Sequence, residues 1–445
     1  MKDKELSSWF NEYSIQEVEV IVPDMAGIAR GKMLPAEKFI KQSEMRLPES
    51  VFIQTVTGEF INEPVINPAD RDIIVRPDLN TLRRLPWAKE AAASVINDCF
   101  YEDGSAVNIS PRQVLKNVLQ AYKDKNMVPV VAPELEFYLV KRNTEPNMEV
   151  EPPIGRSGRQ ETVRQPFSID ALDEFEPVID EIHRYAEAMN IKIDTLEHEM
   201  GTAQLEINFE HGDPLYICDQ VLMFKRIVKE AAMRHNIYAT FMSKPMQFEP
   251  GSAMHWHISV VNKESGENVF NDEKDQETDL FKHFIGGLQK YIPESIVFNA
   301  PYVNSYRRFT RWQNAPINLY WGYDNRTTGL RVPSSSPANR RIENRIGGAD
   351  VNPYLSIAAS LACGFLGMKE KIEPSMPEDS NAYNLPFKLP QNLSSATDML
   401  EQSEAMQMLM GDRFLQVYIA IKRYEYNKYF EVISPWEREY LLLSV

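Results

Sequence analysis

The segment 249–260 constrains the fold most, because polar and apolar side chains alternate strictly over its second half. A Pro-Gly pair opens the segment, and the polar positions that follow are His255, His257 and Ser259. Apolar residues fill the positions between them: Trp256, Ile258 and Val260. Because alternate side chains of a β-strand point to opposite faces, both histidines are predicted to share one face of a strand. Taken alone, the pattern is most simply explained by a strand with one wet face.

Two other strand-like segments carry pairs of acidic side chains. In the apolar run 130–139, Glu134 and Glu136 are two residues apart and so share one face. Glu199 precedes a turn of small residues, and Glu206 lies near the start of the alternating strand after it. Because carboxylates are rarely buried unless they are paired or bind a metal, these residues are candidate cation ligands. The alternative is that they lie on an exposed strand and an exposed hairpin.

A third segment, 340–346, places Arg341, Glu343 and Arg345 on one face of a predicted strand. More arginines lie upstream among aromatic and apolar residues: Arg307, Arg308, Arg311, Arg326 and Arg331. Scattered arginines usually coat a solvated face, but the surrounding segment 321–333 is half apolar. These guanidinium groups are therefore predicted to line a pocket, where they bind carboxylate or phosphate through paired hydrogen bonds.

Together these segments offer five glutamates and one histidine for a shared site near the arginines. Oxygen-rich sites with a single imidazole suit Mg²⁺ or Mn²⁺, and the lack of nearby cysteine argues against structural zinc. A divalent cation combined with arginine is the usual equipment for moving a phosphoryl group. The pattern therefore indicates a metal-dependent phosphoryl-transfer enzyme.

Composition excludes several other classes of protein. The formal net charge of −16 disfavours nucleic acid as a partner, because phosphate backbones attract basic surfaces. The three cysteines lie far apart and fit a reduced, cytoplasmic protein better than a disulfide scaffold. The first residues lack the apolar core of a signal peptide. The longest uncharged stretch, 351–368, contains small and polar residues, which predicts a closely packed helix and no membrane span.

The length of 445 residues predicts two or three domains. Short strand patterns with few helical periods dominate the first part of the chain, which predicts a small, mostly β domain that ends near residue 106. Helical and strand patterns alternate in the rest of the chain. The polar stretch 141–165, with several prolines and glycines, is predicted to be a long loop and a candidate lid.

Eight short motifs occur in an order and spacing that resemble the glutamine synthetase family. They occupy residues 133–139, 201–207, 241–246, 251–259, 304–308, 324–327, 340–345 and 349–355. The resemblance spans nearly the whole chain. It implies an α+β fold with a small N-terminal β-grasp domain, residues 14–106, and a large catalytic domain with a curved antiparallel sheet, residues 110–445.

The resemblance also implies roles for individual residues. The implied ligands of a first divalent cation are Glu136, Glu199 and Glu206, and those of a second are Glu134, His255 and Glu343. The positions that match contacts to the nucleotide of ATP are His257 and Ser259. The matched phosphate-binding arginines are Arg326, Arg331 and Arg341, and those that hold the glutamate carboxylates are Arg308 and Arg345. The amino-acid pocket matches at Gly251, and the implied catalytic residues are Arg326, Arg345 and Glu343, with Arg326 also contacting substrate.

Members of the family make an amide of L-glutamate in two steps. ATP phosphorylates the γ-carboxylate, and an amine then attacks the γ-glutamyl phosphate and expels phosphate. Phosphate is installed because a carboxylate is a poor electrophile, and cations are needed to bring anionic ATP and anionic glutamate together. The resemblance therefore implies two Mg²⁺ or Mn²⁺ sites and ATP as co-substrate.

Two departures from the ammonia-using members concern the amine. Those members carry Asp-Gly-Ser-Ser in the small domain, whereas the segment 52–58 here contains Gln54 and no acid. They also carry Glu before Ala-Pro, where this chain has Asn314. Because these two acids are thought to bind ammonium and remove its proton, their loss favours an organic amine, either a polyamine such as putrescine or a small alkylamine. Trp312 and Asn314 are then predicted to line the amine pocket.

Two alternatives to this function stay open. In one, another residue supplies the missing acid and the chain makes glutamine from ammonia. In the other, the chain is a non-catalytic structural or regulatory member, although suitable residues occupy all six ligand positions.

The resemblance further implies a homo-oligomer, because the family forms six-membered rings. A single ring is a hexamer, and two stacked rings are a dodecamer. The apolar tail 436–445 is predicted to dock on another subunit, and the alternative is that it docks on its own core. Tyr383 lies in a loop similar to one whose tyrosine is adenylylated in some relatives. It is interpreted here as an exposed loop tyrosine.

Overall fold

Two β-sheets with surrounding helices form the protein in a computed structural model, which describes residues 3–61, 65–66, 68–145, 147–312 and 315–445. The strands of the first sheet are β1 (Glu17–Pro23), β2 (Ala29–Pro35), β3 (Met45–Pro48), β4 (Asp72–Pro77), β5 (Arg83–Arg84) and β6 (Ala92–Phe100). They are ordered β2-β1-β6-β4-β3, and β5 also pairs with β6. The β1/β6 pair is parallel and the other pairs are antiparallel.

Two helices contact one another in this N-terminal part of the chain: α1 (Asp3–Glu12) and α2 (Ala36–Lys41). Phe10 of α1 stacks on Phe39 of α2 with ring centroids 5.8 Å apart. The sequence patterns did not predict α1, because within residues 5–12, whose burial is described, only Leu6 and Phe10 are buried. Strands still dominate the region, and the domain bounds 14–106 and 110–445 stay a prediction.

The second sheet holds the motifs singled out in the sequence. Its strands are β7 (Met127–Lys141), β8 (Ile193–His198), β9 (Gln204–Phe209), β10 (Ile237–Thr240), β11 (Met254–Asn262), β12 (Trp321–Tyr323), β13 (Leu330–Val332) and β14 (Ile342–Asn344). They are ordered β12-β13-β14-β11-β7-β9-β8, and β10 also pairs with β7. All pairs are antiparallel except β12/β13.

Eleven further helices are described, and most lie between or after these strands. They are α3 (Pro111–Lys123), α4 (Ile169–Asp173), α5 (Glu176–Ala188), α6 (Pro214–Arg234), α7 (Asp279–Ser295), α8 (Val303–Tyr306), α9 (Pro353–Glu370), α10 (Leu393–Glu401), α11 (Glu404–Met410), α12 (Asp412–Phe430) and α13 (Pro435–Tyr440). Among the described residues, no helix combines the length and the apolarity that a bilayer span requires.

The α7/α9 pair shows how small residues close the helical layer. Every residue from 353 to 368 is buried. A Cβ added to Gly287 of α7 would lie 2.6 Å from the Cα of Gly367 in α9, so neither position accepts a larger side chain without movement. This confirms the closely packed helix that the small residues predicted.

Strand β11 has the two unlike faces that its sequence predicted. Trp256, Ile258 and Val260 are fully buried on one face. In the neighbouring β7, Leu135 and Phe137 are fully buried as well. Burying an apolar side chain of this size contributes about 1.5–3 kcal/mol, and the period of two then sends the residues between them to the opposite face. Core packing therefore determines where the histidines and glutamates point.

Arg112 at the start of α3 ties the first sheet to the rest of the protein. Its guanidinium is buried and binds Asp98 at 2.6 Å, Asp78 at 2.7 Å and Asp219 of α6 at 2.9 Å. Because a buried charge that loses its partner costs several kcal/mol, this cluster fixes how the N-terminal sheet packs on α3 and α6.

Candidate functional site

The strands β9, β7, β11 and β14 are neighbours, and their polar faces hold most of the predicted acidic and histidine residues. The register sets three cross-strand pairs side by side: Glu134 with His255, Glu136 with Glu206, and His257 with Glu343. Cross-strand neighbours have Cβ atoms about 4.5–5.5 Å apart, so side chains that are distant in sequence meet here.

Glu136, Glu199 and Glu206 form a first acidic group, in which ligand oxygens from all three lie within 4.8 Å of one another. Glu199 reaches the group from the turn between β8 and β9. Burial raises the pKa of all three carboxyls, and the neighbouring Glu199 raises the pKa of Glu136 further. A bound cation would favour the ionised form of all three.

A second group lies beside the first and contains Glu134, His255 and Glu343. Nδ1 of His255 is 3.1 Å from a Glu134 oxygen and 3.6 Å from a Glu343 oxygen. Burial lowers the pKa of His255, and its Nε2 is buried without a hydrogen-bond partner among the described residues. A neutral imidazole with a free ring nitrogen is the form that binds a metal.

The carboxylates of this second group stay ionised because positive groups and hydrogen-bond donors surround them. Burial alone would raise the pKa of Glu134, but hydrogen bonds from His255 and His257 bring it below its usual range. Burial likewise opposes ionisation of Glu343, yet the adjacent Arg345 and the histidines lower the pKa of this carboxyl to about 2.

The two groups fit a pair of hard divalent cations. Carboxylate oxygens with one neutral imidazole are donors that suit Mg²⁺ and Mn²⁺. The unpartnered Nε2 of His255 and the mutual repulsion of the buried carboxyls around Glu136 are the features that a cation would satisfy. Within the described ranges, all groups of three such side chains with metal-binding spacing belong to this face of the sheet.

His257 was predicted to contact the nucleotide, but it also lies within hydrogen-bonding distance of the second group. Its Nε2 is 2.7 Å from a Glu134 oxygen, and its Nδ1 accepts a hydrogen bond from Nε of Arg341 at 3.1 Å. Ligand atoms of Glu134, His257 and Glu343 also lie within 4.8 Å of one another. His257 therefore connects the second group to the arginines.

A cavity of 690 Å³ opens beside the second group. The predicted nucleotide residues on its lining are His257, Ser259 and Arg341. Glu134 lines the same cavity, which also reaches Asn268 and Asn339. The space is large enough for a nucleotide, and it meets the acidic groups at Glu134.

Two predicted glutamate-binding arginines are buried next to Gly251. Arg308 donates to the backbone oxygens of Arg345 and Ile346, and burial lowers its pKa to about 10. Nε of Arg308 and Nε of Arg345 are buried without hydrogen-bond partners among the described residues. A Cβ on Gly251 would collide with the Arg308 side chain, so glycine permits this approach. Buried, partly unpaired guanidinium groups are suited to a substrate carboxylate.

The other predicted phosphate-binding arginines lie at the edge of the acidic groups. Arg331 binds a Glu343 oxygen at 2.7 Å and also pairs with Asp324. Arg326 is exposed, and its positive charge lowers the pKa of Glu197 and Glu199 against the larger effect of burial. Both arginines therefore face the region where phosphate charge would meet the acidic groups.

Sequence reasoning gave no role to Gln204, which joins the first group to the Gly251 loop. Nε2 of Gln204 donates to Glu136 at 3.0 Å, to the backbone oxygen of Gly251 at 3.1 Å and to Ser252 Oγ at 3.2 Å. The available signal was its position two residues before Glu206, which puts both side chains on the same face of β9.

Trp312 and Tyr383 form an aromatic pair, with ring centroids 5.3 Å apart. Trp312 is 63% exposed and has a φ of 66°, a left-handed conformation that is rare for a bulky residue. Tyr383 is buried and close enough to Arg345 and Arg308 for their charges to act on its hydroxyl. The interpretation of Tyr383 as an exposed loop tyrosine is wrong, because Trp312 covers it. Asn314 lies outside the described residues.

The segment 52–58 approaches the arginines from the N-terminal region. Gln54 forms an isolated β-bridge with Phe60, and the backbone N–H of Val56 donates to Glu425 at 2.7 Å. Val56 lines a cavity of 790 Å³ together with Arg307, the chain neighbour of Arg308.

Comparison with known proteins identifies the family of this chain. The catalytic domain of glutamine synthetase matches residues 108–441. The chain belongs to the glutamine synthetase family. Its fold class, predicted from the sequence, is confirmed by a solved structure described as GmaS without ligand, with a TM-score of 0.84, 28% identity and coverage of 98% of this chain and 99% of that one. As a member of the family, the chain is an ATP-dependent glutamate ligase.

Curated relatives of two kinds are equally similar. The gamma-glutamylputrescine synthetase PuuA of Escherichia coli K12 is 33% identical over 449 residues, which cover 99% of this chain and 94% of the relative. A glutamine synthetase of Pyrococcus abyssi is also 33% identical, over 427 residues that cover 94% of this chain and 91% of the relative. Identity alone therefore does not separate an organic amine from ammonia.

We expect divalent cations to stabilise the protein more strongly as the pH rises from about 5.5 to about 8. Because the pKa values of Glu136 and Glu206 are raised, the folded protein without cation holds protons that the unfolded chain has lost, and its stability falls as pH rises above the usual glutamate range. Mg²⁺ or Mn²⁺ at a hundred times its Kd contributes about 2.7 kcal/mol and takes the place of those protons. Melting temperatures measured at each pH with metal or with EDTA test this.

Glu401→Gln serves as a control, because it alters an exposed carboxylate paired with Arg423. The metal-dependent shift in melting temperature should be the same in this variant as in the unaltered protein. A shift that is equal at both pH values, or larger at the lower one, would contradict a metal site made of these carboxyls.

Proposed function

We propose that this enzyme joins the γ-carboxylate of L-glutamate to an organic amine, a polyamine such as putrescine or a small alkylamine, in an ATP-dependent reaction. The observation that carries the proposal is the aromatic pair of Trp312 and Tyr383 beside the buried Arg308 and Arg345. An aromatic face attracts an organic ammonium group, whereas bare ammonium in related enzymes is thought to rely on acidic residues.

The acidic groups are proposed to hold two cations. Glu136, Glu199 and Glu206 would bind the first, and Glu134, His255 and Glu343 would bind the second. The ligand atoms of the first set lie within 4.8 Å of one another. In the second set, Nδ1 of His255 lies 3.1 Å from Glu134 and 3.6 Å from Glu343, and both sets are rich in oxygen donors. When bound, such cations neutralise phosphate oxygens and reduce the repulsion between ATP and glutamate.

ATP is proposed to occupy the 690 Å³ cavity, because His257, Ser259 and Arg341 line it. Its phosphates would then extend toward Glu134, where Arg326 and Arg331 supply positive charge at the edge of the acidic groups. Arginine suits this task because its planar fork matches phosphate oxygens and stays charged at every working pH.

Glutamate is proposed to bind between Gly251, Arg308 and Arg345. The unpaired Nε groups of the two arginines fit its carboxylates. An oxygen of the γ-carboxylate attacks the γ-phosphorus of ATP, the bond to the bridging oxygen breaks, and ADP leaves. The amine nitrogen then attacks the γ-carbonyl carbon, the C–O bond to phosphate breaks, and the nitrogen loses a proton. Arg345 and Arg326 are the side chains proposed to stabilise the charge on the transferred phosphoryl group.

Synthesis of glutamine from ammonia is the second candidate, because the glutamine synthetase of Pyrococcus abyssi has the same identity to this chain, 33%, as PuuA. A non-catalytic role is less well supported, since the six proposed ligand positions carry suitable side chains, five on one sheet face and Glu199 on the adjoining turn.

Turnover with a panel of amines distinguishes the first two functions. With glutamate, ATP and Mg²⁺, we expect faster phosphate release with at least one of putrescine, spermidine, methylamine, isopropylamine or an aromatic amine than with ammonium. Trp312→Ala should lower kcat/KM for the preferred organic amine by about two- to thirtyfold, because a cation–π contact contributes about 0.5–2 kcal/mol. The ratio of organic amine to ammonium turnover is the readout, since partial unfolding leaves a ratio unchanged. Equal or better turnover with ammonium would reject the organic-amine assignment.

Glu343→Ala tests the second cation site. We expect metal-dependent activity to fall by at least about a hundredfold, since even partners that only orient a metal ligand contribute about ten- to a hundredfold. Activity is to be titrated with Mg²⁺ and Mn²⁺, and the melting temperature followed, because Arg345 and Arg331 also lose a partner. Near-normal activity with an unchanged metal requirement would remove Glu343 from the proposed ligands.

We also infer a cytoplasmic homo-oligomer, a single or double six-membered ring. The apolar tail is exposed in the single chain, with Leu443 94% and Val445 97% accessible, so the alternative that it docks on its own core is wrong. The three cysteines are free and buried, as suits a reducing compartment.

Light scattering of the full chain should give a mass well above 51.3 kDa. Removal of residues 441–445 should shift the mass downward if the tail joins subunits, because burying apolar side chains drives association. A full-length protein that stays monomeric at micromolar concentration would contradict the oligomer.

A further inference from the structure

The turn that carries Glu199 is held by an unusual set of side-chain acceptors. Four consecutive backbone N–H groups of this turn each donate to a side-chain oxygen, at 2.6–3.1 Å. The four donor and acceptor pairs are Met200 with Glu199, Gly201 with Gln204, Thr202 with Glu249, and Ala203 with Glu161. Two of these acceptors, Glu161 and Glu249, come from distant parts of the chain.

Glu161 lies in the long loop between β7 and α4, and its carboxylate is almost fully buried against the turn. One oxygen accepts from Ala203 N at 2.6 Å and lies 3.1 Å from Nε2 of His198. Nδ1 of His198 lies 2.8 Å from the backbone oxygen of Glu199. Glu161 therefore contacts residues that precede and follow Glu199 in the sequence, His198 and Ala203.

The backbone of the turn depends on such support. Ala203 has a φ of 55°, a left-handed conformation that costs free energy in any residue with a Cβ and persists only where neighbours fix it. A Cβ on Gly201 would collide with the hydroxyl of Tyr138, so glycine permits the close approach of the turn to β7. The bond from Ala203 to Glu161 is one of the contacts that hold the strained residue in place.

Glu249 connects the same turn to the loop that carries Gly251, two residues farther along. Its carboxylate accepts from Thr202 N at 3.1 Å and pairs with Arg164 at 3.3 Å. Arg164 also donates to the backbone oxygen of Phe248. The segment 161–164 thus binds the Glu199 turn at one end and the Gly251 loop at the other.

We propose that Glu161 and Glu249 are positioning residues that hold Glu199 in the geometry needed for the first cation. The proposal rests on the proposed role of Glu199 as a metal ligand. Loss of a side chain that orients a metal ligand typically costs about ten- to a hundredfold in affinity, because a misplaced carboxylate no longer meets the metal at bonding distance. The long loop then acts on metal binding without touching the metal.

Mn²⁺ binding to the enzyme without substrates, measured by electron paramagnetic resonance of the free ion, tests this directly. Glu161→Ala should weaken binding at one site by about ten- to a hundredfold. Glu161→Gln keeps an oxygen that accepts from Ala203 and should recover most of the affinity. The matched control is Glu174→Ala, which removes a carboxylate that accepts from Ser157 in the same loop but does not bond to the turn. Its Mn²⁺ affinity should equal that of the unaltered enzyme.

Glu161→Asp covers the case in which the alanine variant does not fold. It keeps the charge but withdraws the carboxylate by one methylene. A positioning role therefore predicts weaker Mn²⁺ binding, whereas a purely electrostatic role predicts unchanged Mn²⁺ binding. Glu199→Ala separates the two levels of the proposal. If Glu199→Ala loses a site while folded Glu161 variants bind normally, the positioning role is overturned. If Glu199→Ala binds Mn²⁺ normally, the metal assignment itself fails.

Discussion

Repulsion among the carboxylates on the second sheet is the constraint to which the surrounding structure responds. Two unit charges 4 Å apart interact by about 1 kcal/mol in water and about 4 kcal/mol near a protein surface. The strands cannot move apart to relieve it, because the opposite faces of β7 and β11 bury Leu135, Phe137 and Trp256 in the core. Protons, arginines or metal ions must therefore supply the compensating positive charge.

The two acidic groups meet this requirement differently. In the second group Arg345 and the histidines keep Glu134 and Glu343 ionised. In the first group burial and the neighbouring carboxylates prevail, and the pKa values of Glu136 and Glu206 rise well above the usual range. This asymmetry suits an enzyme that brings two anionic substrates together, since a site short of positive charge binds cations and a site rich in arginine binds carboxylate and phosphate.

Several residues of the candidate site lie on loops and not on the sheet. Strands carry most of the proposed metal ligands, whereas Glu199, Gly251 and the Trp312–Tyr383 pair lie on connecting segments. The Glu199 and Gly251 segments are bonded to one another through Gln204, Glu249 and Arg164. Function in a family varies most readily through such loops while the scaffold stays the same. In the proposed function, the amine is therefore selected by the part of the site that the sheet constrains least.

The sequence by itself determined the alternation in β7 and β11, the α+β class, the family and the set of acidic residues that gather on one face. These follow from local rules, because a period of two assigns faces wherever a strand forms. Tertiary structure alone decided the register that pairs Glu136 with Glu206, the burial of Tyr383 under Trp312, the contact of His257 with Glu134, and the bonds from Glu161 and Glu249 to the Glu199 turn. Each depends on which distant segments pack together, and that packing is set by long-range burial and hydrogen bonding that no local pattern records.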